Sequence, residues 1–186
     1  GQFILTSVNR MKMMFEDVIS REAMELVPRI KNGLSGFYLA GGTGLALQLG
    51  HRKSEDLDFF SPKSFDAQAI SDYIKPEKIS TIQRDTLHCL KNGIKLTFLL
   101  YDIVLTRQTI LWNGIKIAAW EDIVAEKFKT LSQRGAKKDF YDIYAAIILK
   151  ATIPEICSCF INRFKGSGIN FYHVLKNLVY FKDAER

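Results

Sequence analysis

The stretch Phe37-Tyr-Leu-Ala-Gly-Gly-Thr-Gly-Leu-Ala-Leu-Gln-Leu-Gly-His-Arg-Lys-Ser-Glu-Asp-Leu-Asp-Phe-Phe60 carries the most information in this chain. Phe37 to Ala40 reads as a short buried strand that delivers the backbone to Gly41-Gly42. Two residues without Cβ atoms allow a sharp turn there and close approach of the backbone to a ligand. A brief helix is predicted from Thr43 to Leu49. Its first free N–H groups and the positive end of its dipole face whatever sits above the turn, and a triphosphate suits that position. The Thr43 hydroxyl is placed to add a hydrogen bond to a phosphate oxygen. Glu55 to Phe60 reads as a second strand, closed by Ser61-Pro62. Asp56 and Asp58 lie two apart on it, so both carboxylates project from one face and Leu57 from the other. Two such carboxylates repel unless a cation sits between them, and Mg²⁺ suits oxygen donors of this kind. A pair of Mg²⁺ ions roughly 3.5–4 Å apart can activate an attacking hydroxyl and stabilise a leaving pyrophosphate. Gly-Gly-Thr alone occurs in many turns, and Asp-x-Asp alone is often a solvated strand edge. Their conjunction in strand–turn–helix–strand order, with twelve residues between Thr43 and Asp56, is what points to one site.

Outward from this stretch, a first helix is predicted over Asn9 to Lys31, capped by Thr6 or Ser7. Met11, Met14, Phe15, Val18 and Ile19 follow helical spacing, and Asn32-Gly33 ends it. Downstream, Phe65 to Ile74 reads as a helix, and Lys78 to Arg84 and Leu87 to Lys91 as meander strands. Asn92-Gly93 reads as a hairpin turn into the apolar strand Ile94 to Tyr101. Asn113-Gly114 followed by Ile115 to Ala118 reads as another hairpin turn leading into a strand. From Glu121 the pattern turns helical: Asp122 to Gln133, Lys137 to Lys150, then helices after Pro154 and near Asn170. The order gives an α+β chain, a mixed sheet flanked by helices, with a core over residues 1–118 and a helical subdomain over 119–186. There is no internal repeat, low-complexity tract or Pro/Ser-rich linker.

The chain has 186 residues, 47% of them hydrophobic and 25% charged, enough to bury a core. No apolar run approaches the roughly 20 residues of a membrane-spanning helix, and residues 1–8 lack a basic leader segment. A net charge of +6 and a pI near 9.2 favour a polyanionic partner, nucleic acid or a nucleoside triphosphate. Cys89, Cys157 and Cys159 form no framework spacing. They read as free thiols in a reducing cytoplasm, with Cys157-Ser158-Cys159 helical rather than metal-binding.

The segment resembles the signature of the polymerase-beta-like nucleotidyltransferase superfamily. More narrowly, Gly41-Gly42-Thr43 with Gly50-His-Arg-Lys-Ser-Glu-Asp-Leu-Asp-Phe-Phe60 resembles the AbiEii family of nucleotidyltransferase toxins. Trp120-Glu-Asp-Ile-Val-Ala-Glu-Lys127 is similar to that family's lysine-bearing helix, and Arg134-Gly-Ala-Lys-Lys-Asp-Phe-Tyr-Asp142 to its arginine turn and Asp-x-x-Asp helix. The resemblance implies that Gly41, Gly42 and Thr43 form the triphosphate turn and that Asp56 and Asp58 hold Mg²⁺. It further implies that Lys127 reaches phosphate and that Asp139 completes the pocket. Read from the residues alone, Lys127 and Glu126 would sit on a solvated helix face. Asp139 and Asp142 would cap their helix and pair with Arg134, Lys137 or Lys138. Arg52 and Lys53 either neutralise the acid pair or contact phosphate, Ser54 caps or braces the turn, and His51 is a structural hydrogen-bonder.

One departure stands out. Many nucleotidyltransferases carry a third carboxylate on a neighbouring strand as general base. Here that strand, Gly93 to Asp102, has Lys95 or Thr97 in the middle position, and Asp102 only at its end. A weakened metal site, a different base and lost activity are the alternatives. The resemblance implies Mg²⁺-dependent transfer of a nucleoside monophosphate from a triphosphate to a hydroxyl acceptor. An RNA end such as the tRNA acceptor terminus is one acceptor the resemblance allows, in the toxin of a toxin–antitoxin or phage-defence pair with an antitoxin partner. The competing reading is a degenerate module that binds nucleotide, RNA or an antitoxin without catalysis.

Overall fold

A computed structural model describes residues 14–134 and 136–178, apart from the side chains of 132–134, 177 and 178. The chain first makes a one-turn 3₁₀ helix, Glu16–Val18, then α1, Arg21–Ile30. The long helix expected from Asn9 is therefore broken within the described part. Phe15 donates its backbone N–H to the Leu47 carbonyl at 2.8 Å, and Ile19 is extended. Ser20 then caps α1 by accepting from the Ala23 N–H, an orphan donor of the first turn. The caps expected at Thr6 and Ser7 lie outside the described residues.

After α1 come β1 (Tyr38–Leu39), α2 (Gly41–Leu49), β2 (Leu57–Ser61), α3 (Ala67–Ile74), β3 (Lys78–Gln83), β4 (Thr86–Lys91) and β5 (Ile94–Leu100). The hairpin β6 (Ile110–Trp112) and β7 (Ile115–Ile117) follows. Four helices end the described chain: α4 (Trp120–Arg134), α5 (Lys137–Leu149), α6 (Ile153–Arg163) and α7 (Phe171–Leu178). The seven strands form one mixed sheet in the order β3-β4-β5-β2-β1-β7-β6. β1 runs antiparallel to β2 and parallel to β7, while β2 runs parallel to β5. The short strand β6 is the first arm of the hairpin that Asn113-Gly114 announces. It forms because Asn113-Gly114, both at positive φ, fold it back onto β7.

The period-2 alternation of the strands feeds two cores. Leu39, Leu57, Phe59, Leu96 and Phe98 enter one, with α1 and α3 over it; Phe59 and Phe98 stack at 5.2 Å. Tyr38 and Phe60 point to the other face, where α4 to α7 pack. Each such fully buried aromatic or branched side chain contributes about 1.5–3 kcal/mol. Two tethers fix the helical layer to the sheet. Gln48 of α2, buried, donates to the Gly44 and Ala118 carbonyls and accepts the Trp120 N–H, so α2 sets where α4 begins. Asp122 of α4, 1% exposed, accepts from the Thr106 and Arg107 backbone N–H groups, the Thr106 hydroxyl and Arg163. No single helix among the described residues is long and apolar enough to cross a membrane.

Candidate active site

β1 ends at Leu39, and α2 starts directly at Gly41, two residues earlier than the sequence pattern suggests. Gly41 has φ +60°, and a Cβ built on it would lie 2.2 Å from Oδ2 of Asp58. A Cβ on Gly42 would lie 2.3 Å from Nη2 of Arg52. Gly41 is required both by its backbone and by the Asp58 side chain that closes over the turn, whereas at Gly42 a methyl would press on the tip of the Arg52 side chain. The Gly-Gly bend and the acidic strand, seventeen residues apart from Gly41 to Asp58, meet in space.

Asp58 lies on β2, and Asp56 just before it, so the strand begins after the first acid rather than at Glu55. Both line one cavity of about 610 Å³, together with Gly41, Gly42, Arg52, Lys53, Ser54, Glu55 and Lys127. Burial, and next the charge of Asp56, raise the Asp58 carboxyl above the usual carboxylate range, with Thr97 and Lys127 pulling it back. This donor set fits a hard divalent cation: two carboxylates share one wall, and the strain of ionising the second is what such an ion relieves.

Thr43 is placed differently from the expectation. It is 1% exposed, and its hydroxyl donates to the Asp56 carbonyl and lies 2.7 Å from the Ser54 hydroxyl. Pointing inward, it braces the segment that carries Asp56 instead of reaching a phosphate. Ser54 is its partner in that brace and also faces the cavity.

Lys127 is buried, contrary to the solvated-face reading. It pairs with Asp139 Oδ1 at 2.7 Å and Asp142 Oδ2 at 2.8 Å, both carboxylates being 0% exposed. Asp142 is a hub. Arg52 grips it through Nε at 2.6 Å and Nη2 at 3.0 Å, and His51 Nε2 lies 2.8 Å from Oδ1. Burial opposes ionisation of Asp142. Hydrogen bonds from His51 and Arg52 and the charge of Lys127 nonetheless hold it well below the usual carboxylate range. The two aspartates of α5 thus anchor cations from the α2–β2 loop and from α4. Asp139 contacts Lys127 rather than lining the cavity itself. Arg52 pairs with Asp142 rather than with the Asp56/Asp58 pair expected for it, and it lines the cavity. The Arg134 side chain, expected beside these acids, lies outside the described part.

The position of the absent third carboxylate is now defined. In the parallel pairing of β2 with β5, Asp58 stands opposite Thr97, and Lys95, two residues earlier on the same face, lines the cavity. Asp102 lies beyond the end of β5. Two further lining residues were not foreseen: Tyr38 of β1 and Arg163 of α6 come together across 125 residues of sequence, which no local spacing announces.

Residues 32–96 match the family model described as nucleotidyl transferase AbiEii toxin, type IV TA system. Over 174 residues the chain is 38% identical to the uncharacterized protein aq_aa25 of Aquifex aeolicus strain VF5, a match covering 88% of this chain and 82% of that protein. Among solved structures, JHP933 from Helicobacter pylori shares the fold with a TM-score of 0.52 at 17% identity, over 88% of this chain and 91% of that one. MenT4, nucleotidyltransferase toxin Rv2826c from Mycobacterium tuberculosis H37Rv, does so with a TM-score of 0.54 at 15% identity, over 75% of this chain and 62% of that one. At these identities the two structures speak for the fold. The glycine bend closed by an aspartate, the mixed sheet that carries both, and the sequence matches together place the chain in the AbiEii nucleotidyltransferase family.

Proposed function

We propose that this nucleotidyltransferase moves a nucleoside monophosphate from a nucleoside triphosphate onto a hydroxyl of an RNA end, such as the tRNA acceptor terminus, with Mg²⁺ held by Asp56 and Asp58. The observation that carries the reading is the convergence of Gly41 and Asp58 on one cavity with Asp56, Arg52 and Lys127 in its wall. Gly41 and Gly42 open α2, and their backbone N–H groups are the phosphate donors; Thr43 and Ser54 hold the turn from behind. Mg²⁺ would supply charge neutralisation at the reacting phosphate. Arg52 and Lys127, oriented by Asp142 and Asp139, present positive potential toward the polyphosphate. The acceptor oxygen forms a bond to the α-phosphorus, the bond to pyrophosphate breaks, and the hydroxyl proton is released.

The net charge of +6 favours an RNA acceptor. The family description, a toxin of a type IV TA system, supports a toxin paired with an antitoxin, and a cytoplasmic setting away from any membrane is part of the proposal. A second reading, a degenerate module that binds nucleotide, RNA or an antitoxin without turnover, is favoured by Thr97 and Lys95 standing where a third acid would be. Incubation with each α-labelled triphosphate, Mg²⁺ and total RNA separates the two. Label in RNA that disappears in Asp56→Asn and Asp58→Asn variants supports the enzyme. Tight triphosphate binding without label transfer supports the module, and label transfer that survives both substitutions refutes the mechanism.

A further inference from the structure

The cavity is lined by two buried side chains, Tyr38 at 5% and Arg163 at 6% exposed, whose Oη and Nε each lack a well-aligned hydrogen bond, although the Arg163 charge lies beside the Tyr38 hydroxyl. Such groups are rare in folded proteins, because each costs about 1–3 kcal/mol when left unpaired. Both residues line the same cavity as Gly41 and Asp58. Arg163 is held firmly: its Nη1 donates to Asp122 Oδ1 at 2.9 Å and to the Val104 carbonyl at 3.3 Å. Its Nε lies 3.5 Å from Glu126 Oε2, an ion-pair separation without a hydrogen bond. The Glu126 carboxylate is instead occupied by the Tyr101 hydroxyl, at 2.6 and 2.5 Å from its two oxygens. The Tyr38 ring meets Phe60 edge-on at 6.1 Å, and Phe60 leans on Tyr101 at 5.2 Å. The result is a wall of aromatic rings that presents the Arg163 Nε–H and the Tyr38 hydroxyl as available donors.

Resting on the nucleotidyltransferase reading above, we propose that Tyr38 and Arg163 read the base of the bound triphosphate and favour an oxo base (cytosine, uracil or guanine) over adenine. Tyr38 and Arg163 line the same cavity as Gly41 and Gly42, and Tyr38 stands three positions before Gly41, at most about 10 Å of chain away, so one nucleotide can span from phosphates at the glycine turn to this pair. A base carbonyl oxygen has two lone pairs and accepts from the Arg163 Nε–H and the Tyr38 O–H together. Adenine has no carbonyl, and each of its ring nitrogens has one lone pair, so one donor would stay unpaired.

The test is calorimetric binding of ATP, CTP, GTP and UTP, each with Mg²⁺, to the full chain and to its Tyr38→Phe variant, with Asp58→Asn as the reference for loss of the phosphate site. Tyr38→Phe removes one oxygen and keeps the ring, so folding is retained. The expected result is a wild-type preference of about tenfold or more for an oxo-base triphosphate over ATP. Tyr38→Phe should weaken that nucleotide about five- to tenfold and leave ATP within about twofold. Equal binding of all four by the wild type, a uniform loss across all four in Tyr38→Phe, or no change in Tyr38→Phe while Asp58→Asn abolishes binding each overturns this inference alone. Failure of the folded wild type to bind any triphosphate overturns the proposed function and this inference with it.

Discussion

Replacing Asp142 by alanine should cost the chain far more than a surface substitution, and the structure says why. The carboxylate is wholly buried and compensates Arg52 and Lys127 at once, with His51 as a third partner. Removing one member of a buried ion network strands its partners in a poorly solvating site, at a cost of about 3–5 kcal/mol. At about 2–4 °C per kcal/mol for a chain of this size, the melting temperature should fall by about 6–20 °C. The sign with pH follows from the direction of the shift. Asp142 titrates lower in the folded than in the unfolded chain, so its contribution is complete above the unfolded value of about 3.9 and is lost as the pH falls through the folded one. The difference between wild type and Asp142→Ala should therefore be constant near neutrality and shrink in acid. Urea denaturation at several pH values measures it, and a cycle with Arg52→Met should show a coupling of about 0.5–3 kcal/mol. A melting temperature within about 2 °C of wild type, or strict additivity with Arg52→Met, would refute the claim that this network binds α5 to the α2–β2 loop.

Other outcomes follow from the same geometry. Asp58 binds its proton more tightly when folded, so its ionisation lowers stability as the pH rises past the unfolded value. Asp58→Asn should accordingly raise the melting temperature of the metal-free chain while abolishing transfer, and a calorimetric scan paired with the label assay reads both. Gly41→Ala places a methyl 2.2 Å from Asp58 Oδ2 at φ +60°, and should reduce transfer at least about 100-fold by displacing that carboxylate. Unimpaired turnover in that variant would mean that the turn does not approach Asp58 as described. Burial pushes the Cys89 thiol up to about 11, so at pH 8 a thiol reagent should label it only after unfolding; rapid labelling of native protein would contradict its burial.

The parts of the molecule legible in the sequence are those written in local pattern. The strand Ile94 to Leu100 alternates, Asn92-Gly93 turns, and the Gly-Gly bend with Asp56 and Asp58 announces a site because small and acidic residues are scarce in buried strands. What escaped the reading depends on partners far away in the chain. Lys127 has the spacing of a solvated face, and only α5 folding over it supplies Asp139 and Asp142. Thr43 looks like a phosphate ligand until the loop returns and Asp56 offers its carbonyl. Helix starts failed for a related reason. Ser20 out-competes a continuous helix because its side chain satisfies the Ala23 N–H, while the backbone of Phe15 is drawn to Leu47. Tyr38 and Arg163 had no signal at all, one lying in a strand read as buried and the other in a helix after Pro154 with no motif around it.

The most direct measurement is a titration of Mg²⁺ into the chain loaded with a non-hydrolysable triphosphate, compared with the Asp56→Asn/Asp58→Asn double variant under the same conditions. Saturable metal binding in the wild type that vanishes in the variant is the predicted result. Equal metal affinity in the two proteins would contradict the account, because the ion would then be held by the phosphates without the acids that the glycine bend brings beside them.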